Sequence, residues 1–145
     1  MRRREDLEMS EEERERILRR FESLTVPLEE EAKIMVKYRL KDMGYEVEVG
    51  PLTLPEVKLD VYGVSGDLCV VGIARLRASP SAIDELNGKV EALRRLRPDK
   101  LRPRLLKVVY IYRALPGLKE RAEKEGVWVL KAAGDYAQDV VEPRF

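Results

Sequence analysis

The stretch KLDVYGVSGDLCVVGIAR, residues 58–75, decides the fold of this 145-residue chain. It indicates one strand over 57–64 and another over 68–75, joined by the short turn Ser65-Gly66-Asp67. The glycine of that turn allows the positive φ that a tight hairpin requires. The second strand is apolar at almost every position, a pattern typical of strands that are buried on both faces. We therefore expect a hairpin whose second strand lies at the centre of a sheet.

Helices and strands continue on both sides of this hairpin. Upstream, helical spacing of apolar residues predicts a helix over about 28–43, capped by Gly44, and alternation predicts a strand over 45–49. Downstream we expect a helix from Ser79 or Ser81 to about Leu96, then strand 104–113, helix 118–125 and strand 127–130. This order predicts an α/β fold. Its mixed central sheet would combine a three-stranded antiparallel meander with crossover strands, flanked by helices.

An additional amphipathic helix is predicted at the N-terminus, beginning with Ser10 as its cap. Its apolar stripe consists of Ile17, Leu18, Phe21 and Leu24 on an otherwise charged surface. The stripe is suited either to packing on its own domain or to contact with a second copy or another protein. We divide the chain into this helix (1–27), an α/β core (28–133) and a C-terminal tail (134–145).

The composition excludes several kinds of site. The chain has no histidine and one cysteine, Cys69, which lies in an apolar run and is expected to be a small buried hydrophobe. Zinc sites and Ser-His-Asp or Cys-His catalysis are therefore excluded, and any metal would be Mg²⁺ or Mn²⁺ held by carboxylates. A chain that is 38% charged, with one Asn and one Gln, is typical of a thermophilic source.

Neither a membrane nor a strong global charge is indicated. No apolar run approaches the roughly 20 residues that span a bilayer, and no apolar segment of a signal peptide follows the basic N-terminus. We therefore expect a cytoplasmic protein without membrane contact. The net charge of +1 provides no overall attraction to nucleic acid, so such binding would need a local patch.

Several short motifs carry a resemblance to a known family. They are a glutamate-bearing helix ending in Gly44-Tyr45, LDV containing Asp60, the strand VVGIA after Gly66-Asp67, and RLLKVVYIYRALPGLKERAEKEGVWVL over 104–130. Together with the order of elements, they resemble the PD-(D/E)XK nuclease superfamily over about residues 28–133. That superfamily includes restriction endonucleases and archaeal Holliday-junction resolvases. The resemblance implies a restriction-endonuclease-like fold.

The resemblance also implies an active site, which this chain matches in part. Members of the family use two carboxylates on a divalent metal and a lysine beside the attacking water. Asp60 matches the first acid and is the candidate metal ligand, whereas Gly72 stands for the second acid and Ala74 for the lysine. Glu31 or its neighbour Glu30 matches an acid that some members carry on the preceding helix. The missing groups favour a catalytically degenerate protein that needs no cofactor.

The alternative is that other residues replace the missing groups. Asp84, Glu85 or Glu91 on the following helix would replace the missing acid, with Arg75 or Arg77 as the cation; Mg²⁺ or Mn²⁺ would then be needed. Strand alternation, however, predicts that Arg75 points away from the face of position 74.

The same positions also have purely structural interpretations. Asp60 would bond a lysine or a turn amide, and Glu31 would favour the positive end of its helix dipole. Gly72 would allow close approach of a helix.

One stretch of the chain is strongly basic, although positive and negative charges are nearly balanced over the whole sequence. Residues 94–107 contain a single acid, Asp99, and seven basic residues, Arg94, Arg95, Arg97, Lys100, Arg102, Arg104 and Lys107. Arginine forks suit phosphate, so the patch would bind the backbone of DNA or RNA. It is equally compatible with a solvated surface. No aromatic residue interrupts the basic ones, which argues against base stacking there.

Three functions follow, in order of preference. The first is a degenerate nuclease-fold protein that binds nucleic acid or a nucleic-acid-processing complex without cutting. The second is a metal-dependent nuclease with relocated acids. The third is a structural or oligomeric interaction module that acts through the N-terminal helix.

Overall fold

Residues 27–131 are described by the computed structural model, and within them five strands form one mixed sheet in the order β1-β2-β3-β4-β5. The elements in chain order are α1 (Leu28–Asp42), β1 (Gly50–Thr53), β2 (Lys58–Ser65), β3 (Leu68–Ala78), α2 (Pro80–Leu96), β4 (Arg104–Ala114), α3 (Leu118–Glu125) and β5 (Trp128–Lys131). A short 3₁₀ turn, Pro98–Lys100, lies between α2 and β4.

The strand directions confirm the predicted fold class. β1, β2 and β3 pair antiparallel, and β3, β4 and β5 pair parallel through the crossover helices α2 and α3. β3 is the central strand, and every residue from Leu68 to Ala74 is buried. The apolar pattern of residues 68–74 therefore predicted the position of this strand correctly.

Helices cover both faces of the sheet and form two layers of core. One layer packs α2 and α3 against residues such as Leu59, Val71 and Ile73. The other packs α1 against residues such as Val61, Val70 and Val108. The sheet thus has an α2 face and an α1 face, and both are apolar.

The ends of the helices follow the predicted signals. Ser79 is the N-cap of α2, and its hydroxyl accepts a hydrogen bond from the Ser81 amide. Gly44 follows α1 with a φ of 93°, a conformation that glycine adopts without strain.

The first strand was predicted at the wrong place. Residues 45–49 form no strand, and pairing begins only at Gly50, opposite Tyr62. Val47 is buried between exposed Glu46 and Glu48, so side-chain burial does alternate along this segment. The alternation arises because Val47 packs into the core, and not because the backbone pairs with another strand. This segment passes over Gly63, where an added Cβ would lie 2.6 Å from the Glu48 carbonyl oxygen.

Other predictions concern residues outside those described. The N-terminal helix and the C-terminal tail lie mainly or entirely beyond residues 27–131, and the domain division stays a prediction. Within the described residues, no helix is long and apolar enough to cross a membrane.

Candidate functional site

Asp60 lies where β2 departs from regular pairing. Two steps along β1, from Gly50 to Leu52, correspond to three along β2, from Tyr62 to Leu59, so β2 contains an additional residue. Leu59 consequently packs on the α2 face and Val61 on the α1 face, although residues two apart normally share a face. Asp60 lies within this bulge.

The bulge directs the Asp60 carboxylate to the backbone of β3. The regular register of β2 with β3 ends at Val61 opposite Gly72. Just beyond it, Asp60 Oδ2 accepts a 2.9 Å hydrogen bond from the Ala74 amide. The Asp60 side chain is only 13% exposed. The Asp60 carboxylate therefore accepts the hydrogen bond that a backbone carbonyl of a neighbouring strand would otherwise accept from β3. The sequence predicted a lysine or a turn amide as the partner of Asp60, whereas the donor is an amide within a strand.

Arg75 bridges Asp60 to the next helix. Its Nη1 lies 3.4 Å from Asp60 Oδ2 and donates a 2.7 Å hydrogen bond to the Ala74 carbonyl, while Nη2 pairs with Glu85 of α2. Strand alternation predicted that Arg75 would point away from the site. Its backbone does follow that alternation, but the long side chain reaches back to Asp60 because the bulge brings the carboxylate toward it.

The position expected for the second acid has no room for a side chain. A Cβ added at Gly72 would lie 2.3 Å from Val108 Cγ1 and 2.5 Å from the Val108 carbonyl oxygen. Contacts below 3.0 Å are not tolerated by real Cβ atoms. The close neighbour of Gly72 is therefore strand β4, not the helix that the sequence suggested.

The position expected for the lysine is also enclosed. Ala74 is 3% exposed and lies in register with fully buried Tyr110. Val108 and Tyr110 thus fill the α1 face next to the two positions that carry the acid and the lysine in the family that the sequence resembles.

Glu31 is buried and bonded to Tyr110. Its side chain is on the first turn of α1, yet it is only 5% exposed, and Oε2 accepts a 2.5 Å hydrogen bond from the Tyr110 hydroxyl. Burial raises the pKa of Glu31 above its ordinary value, against the opposing effect of the Tyr110 hydrogen bond. Burial, the hydrogen bond and the charge of Glu31 likewise raise the pKa of Tyr110. The dipole explanation of Glu31 was therefore incomplete.

The remaining candidate acids are dispersed among separate ion pairs. Asp84 binds Arg121 at 2.5 Å, Glu91 lies 3.6 Å from Arg94, and Glu30 binds Lys33 at 2.7 Å. Glu85 shares Arg75 with Asp60, and these two candidate acids are thus joined by a common cation.

These residues do not fit a divalent metal. Among residues 27–131, no group of three or more His, Cys, Asp or Glu side chains is arranged to hold a metal ion. Asp60 is already bonded to an amide and a guanidinium, and the second ligand position is closed by Val108. The arrangement of the side chains therefore gives no support to Mg²⁺ or Mn²⁺ chemistry at this site.

Cys69 is buried and unreactive. Its thiol lies 3.5 Å from the Lys100 carbonyl, and burial raises its pKa to about 11. The thiolate that nucleophilic catalysis needs is therefore scarce near neutral pH, in agreement with the prediction of a small buried hydrophobe.

The basic patch is partly neutralised by acids from other parts of the chain. Arg94 pairs with Glu91, Arg97 lies 3.8 Å from Glu56, and Arg104 binds Asp67 at 3.0 Å. Arg104 also lies over the Tyr45 ring, 5.7 Å from its centroid.

Four cations of the patch form no ion pair with an acid within residues 27–131: Arg95, Lys100, Arg102 and Lys107. Arg102 donates hydrogen bonds to the backbone carbonyls of Asp99 and Leu101, and Lys107 donates to Asn87. The patch is thus smaller than the sequence indicated.

A comparison with protein-family models assigns the chain to a family. Residues 30–139 match the model of the domain of unknown function DUF8196. The chain belongs to the DUF8196 family. A comparison with curated proteins finds no match for this DUF8196 chain.

Solved structures resemble the DUF8196 fold. A repair endonuclease from Pyrococcus abyssi matches with a TM-score of 0.50 and 18% identity, over 79% of this chain and 47% of that one. EndoMS without ligand matches with a TM-score of 0.46 and 22% identity, over 84% and 49%. EndoMS in complex with double-stranded DNA gives 0.46 and 23%, over 84% and 48%.

These likenesses concern the fold alone. The chain spans about half the length of each of these structures. The match to the Pyrococcus enzyme supports the nuclease-like architecture that the sequence motifs predicted, and it leaves activity to be argued from the residues of this chain.

Proposed function

We propose that this DUF8196 domain binds nucleic acid on a nuclease-like fold that no longer cuts it. The observation that carries the proposal is the close packing of Val108 against Gly72, which leaves no space for an acid at the second ligand position. An amide and a guanidinium already bond the remaining acid, Asp60, in the way that a structural carboxylate is bonded.

Arg75 gives further support, since it supplies the charge that a metal would otherwise provide. Its guanidinium lies between the carboxylates of Asp60 and Glu85 and pairs with both. A cation fixed to the chain in this way stabilises the two acids permanently. A water molecule bound to a metal, the usual nucleophile in such enzymes, has no equivalent in that arrangement.

Binding is proposed through the basic patch at the end of α2 and the start of β4. Arg95, Lys100 and Arg102 carry charges that acids of the described chain leave uncompensated. Phosphate contacts of this kind provide affinity without sequence preference, and they weaken as salt rises because counterions are released. Arg94, Arg97 and Arg104 are bonded to acids and would contribute less.

The alternative enzyme would need a rearrangement. Glu85 is the best placed of the relocated acids because it shares Arg75 with Asp60. For the two acids to bind a metal, Arg75 would have to leave both of them. The interaction module that acts through the N-terminal helix stays a prediction, as does a cytoplasmic location.

Fluorescence anisotropy with labelled oligonucleotides tests the binding proposal. The full chain should bind single-stranded, duplex or junction DNA, or RNA, at low salt, and affinity should fall steeply between about 50 and 200 mM salt. The triple variant R95Q/K100Q/R102Q should bind more weakly and with a shallower salt dependence.

A matched control separates the patch from overall charge. K41Q/K119Q/K124Q also removes three positive charges, but from helices α1 and α3, and it should bind as the wild type does. Unmeasurable binding of every nucleic acid at low salt would overturn the proposed function, and equal losses in both triple variants would overturn the role of the patch.

A further inference from the structure

Two cations of the basic patch, Lys100 and Arg102, lie on a short loop between α2 and β4. This patch loop, residues 97–103, contains the 3₁₀ turn and follows directly from the end of α2. Pro98 lies near its beginning and Pro103 at its end, and the ring of each proline fixes its own φ. Few backbone conformations are therefore open to the patch loop.

A side chain of the sheet is bonded to the patch loop. Tyr62 lies on β2, 38 residues before Lys100 in the sequence, and its hydroxyl donates a 2.8 Å hydrogen bond to the Lys100 carbonyl. The Cys69 thiol of β3 lies 3.5 Å from the same carbonyl oxygen. Burial raises the pKa of Tyr62 above its ordinary value, so its hydroxyl stays protonated near neutral pH and can donate.

Packing and further hydrogen bonds fix the two cations relative to this bond. Leu101, between them, packs against the core on the α2 face of the sheet, as does the Tyr62 ring. Lys100 and Arg102, on either side of Leu101, are half-buried. The Arg102 guanidinium donates to the carbonyls of Asp99 and Leu101, at 2.8 and 2.9 Å. The charge of Arg102 therefore lies where the backbone of the patch loop places it.

We infer that Tyr62 is a positioning residue for nucleic-acid binding, because its hydroxyl holds the patch loop, and with it Lys100 and Arg102, in one arrangement before the ligand arrives. Holding a binding loop in this way increases affinity, since less conformational entropy is lost on association. The Tyr62 ring is half-buried and its hydroxyl is already bonded, so Tyr62 acts through the loop and not by stacking on a base. This inference rests on the proposed function and adds to it a residue from outside the basic stretch 94–107.

Tyr62→Phe tests the inference, because it removes the hydroxyl and keeps the ring that packs in the core. Fluorescence anisotropy measures binding of the full chain to whichever labelled DNA or RNA oligonucleotide the wild type binds most tightly, over a range of salt. Affinity should fall by about 2- to 13-fold, which corresponds to the net contribution of one hydrogen bond. The slope of log affinity against log salt should not change, since every cation of the patch is still present.

Two further comparisons distinguish positioning from a general loss of stability. Tyr110→Phe also removes a bonded hydroxyl, but from the α1 face of the sheet, where its partner is Glu31. It should bind as the wild type does, whatever its unfolding midpoint. In the K100Q/R102Q background, Tyr62→Phe should cause no further loss, because the hydroxyl acts through the two cations that are then absent.

Amide hydrogen exchange tests the order of the patch loop without any nucleic acid. The Lys100 and Leu101 amides donate to the carbonyls of Arg97 and Pro98, at 3.0 and 3.1 Å. Both amides should exchange faster in Tyr62→Phe than in the wild type, while the amides of the central strand β3 keep their rates.

The outcomes separate this inference from the proposed function. If Tyr62→Phe binds as tightly as the wild type while R95Q/K100Q/R102Q binds more weakly, the role of Tyr62 is wrong and the basic patch stands. Unchanged exchange at Lys100 and Leu101, an equal loss of affinity in Tyr110→Phe, or additive losses with K100Q/R102Q would each overturn the role of Tyr62 as well. No binding of any nucleic acid by the wild type would overturn the proposed function and this inference with it.

Discussion

At the scale of single residues, the candidate site consists of acids that other groups already satisfy. Asp60 bonds the Ala74 amide and Arg75, and Glu31 bonds the Tyr110 hydroxyl. Buried carboxylates need such partners because an unsatisfied polar group in the interior costs free energy. The contribution of each acid to stability can therefore be measured independently of any activity.

Replacing Asp60 tests its structural role. Asp60→Ala leaves the Ala74 amide without its acceptor and should lower the free energy of unfolding by about 1–3 kcal/mol. Asp60→Asn retains a side-chain oxygen that can accept from that amide and should cost less. Guanidinium unfolding monitored by circular dichroism measures both. A metal ligand would behave differently: Mn²⁺ would raise the stability of the wild type and not of Asp60→Ala.

Replacing Glu31 tests the effect of its burial on pH dependence. The pKa of Glu31 is raised in the folded state, so folding favours its protonated form, and stability from this group is fully present below its unfolded pKa. As the pH rises through the folded pKa, that stability is lost. The difference in unfolding free energy, wild type minus Glu31→Gln, should therefore decrease from about pH 4.5 upward, by at most about 1.4 kcal/mol per pH unit.

Glu30→Gln is the control for this measurement. It removes a carboxylate from the same turn of α1, where Glu30 pairs with Lys33 and does not contact Tyr110. If the two variants show the same pH profile, or if the difference for Glu31→Gln increases with pH, the explanation by burial is wrong.

Sequence reasoning found some of these residues and not their partners. Asp60 stood out as the one motif acid, and Gly72 and Ala74 as the positions of the absent groups. Tyr110 lies 79 residues from Glu31, so their hydrogen bond depends on the tertiary fold and has no local signal. A tyrosine in the otherwise apolar stretch VVYI was the available hint, because a buried hydroxyl requires a partner.

At the scale of elements, the packing of β3 against β4 determines what the sheet can hold. Gly72 allows Val108 to approach so closely that a Cβ cannot be inserted. The register places Gly72 beside Val108 and Ala74 beside Tyr110, so small residues of β3 lie beside large ones of β4. The two strands fit as a pair, and the fit leaves no room for a side chain at position 72.

Substituting Gly72 tests that fit. Gly72→Ala should destabilise the fold by about 1–3 kcal/mol, the usual cost of overpacking a core. The matched control is Gly88→Ala on α2, where an added Cβ has nothing within 4 Å and should stabilise the helix by about 0.8–1 kcal/mol. Thermal unfolding of both variants measures the difference. A Gly72→Ala protein as stable as the wild type would show that the second acid position is open after all.

The elements differ in how well the sequence predicted them. β3 was placed correctly because a run buried on both faces has a distinctive composition. The first strand was misplaced because alternation reports which side chains are buried, not which backbone groups have a pairing partner. Arg75 was misjudged because the rule of alternation assumes a regular strand, whereas the bulge in β2 brings Asp60 toward its side chain.

At the scale of the whole molecule, the candidate site and the basic patch lie in different places. The candidate site lies midway along β3 and β4, around Gly72, Ala74 and Val108, whereas the basic patch lies at the end of α2 and the start of β4. The likeness to the Pyrococcus endonuclease supports the architecture. The packing of Gly72, Val108 and Tyr110 distinguishes this chain from the active site that the sequence resemblance implied.

The central claim is that this fold binds nucleic acid without cutting it, and a cleavage assay tests it most directly. End-labelled single-stranded, duplex and junction DNA, and RNA, are incubated with an excess of the full chain in Mg²⁺ or Mn²⁺ and separated on a denaturing gel. The account predicts intact oligonucleotides at every time point with both metals. Metal-dependent cleavage that disappears in Asp60→Ala would contradict it.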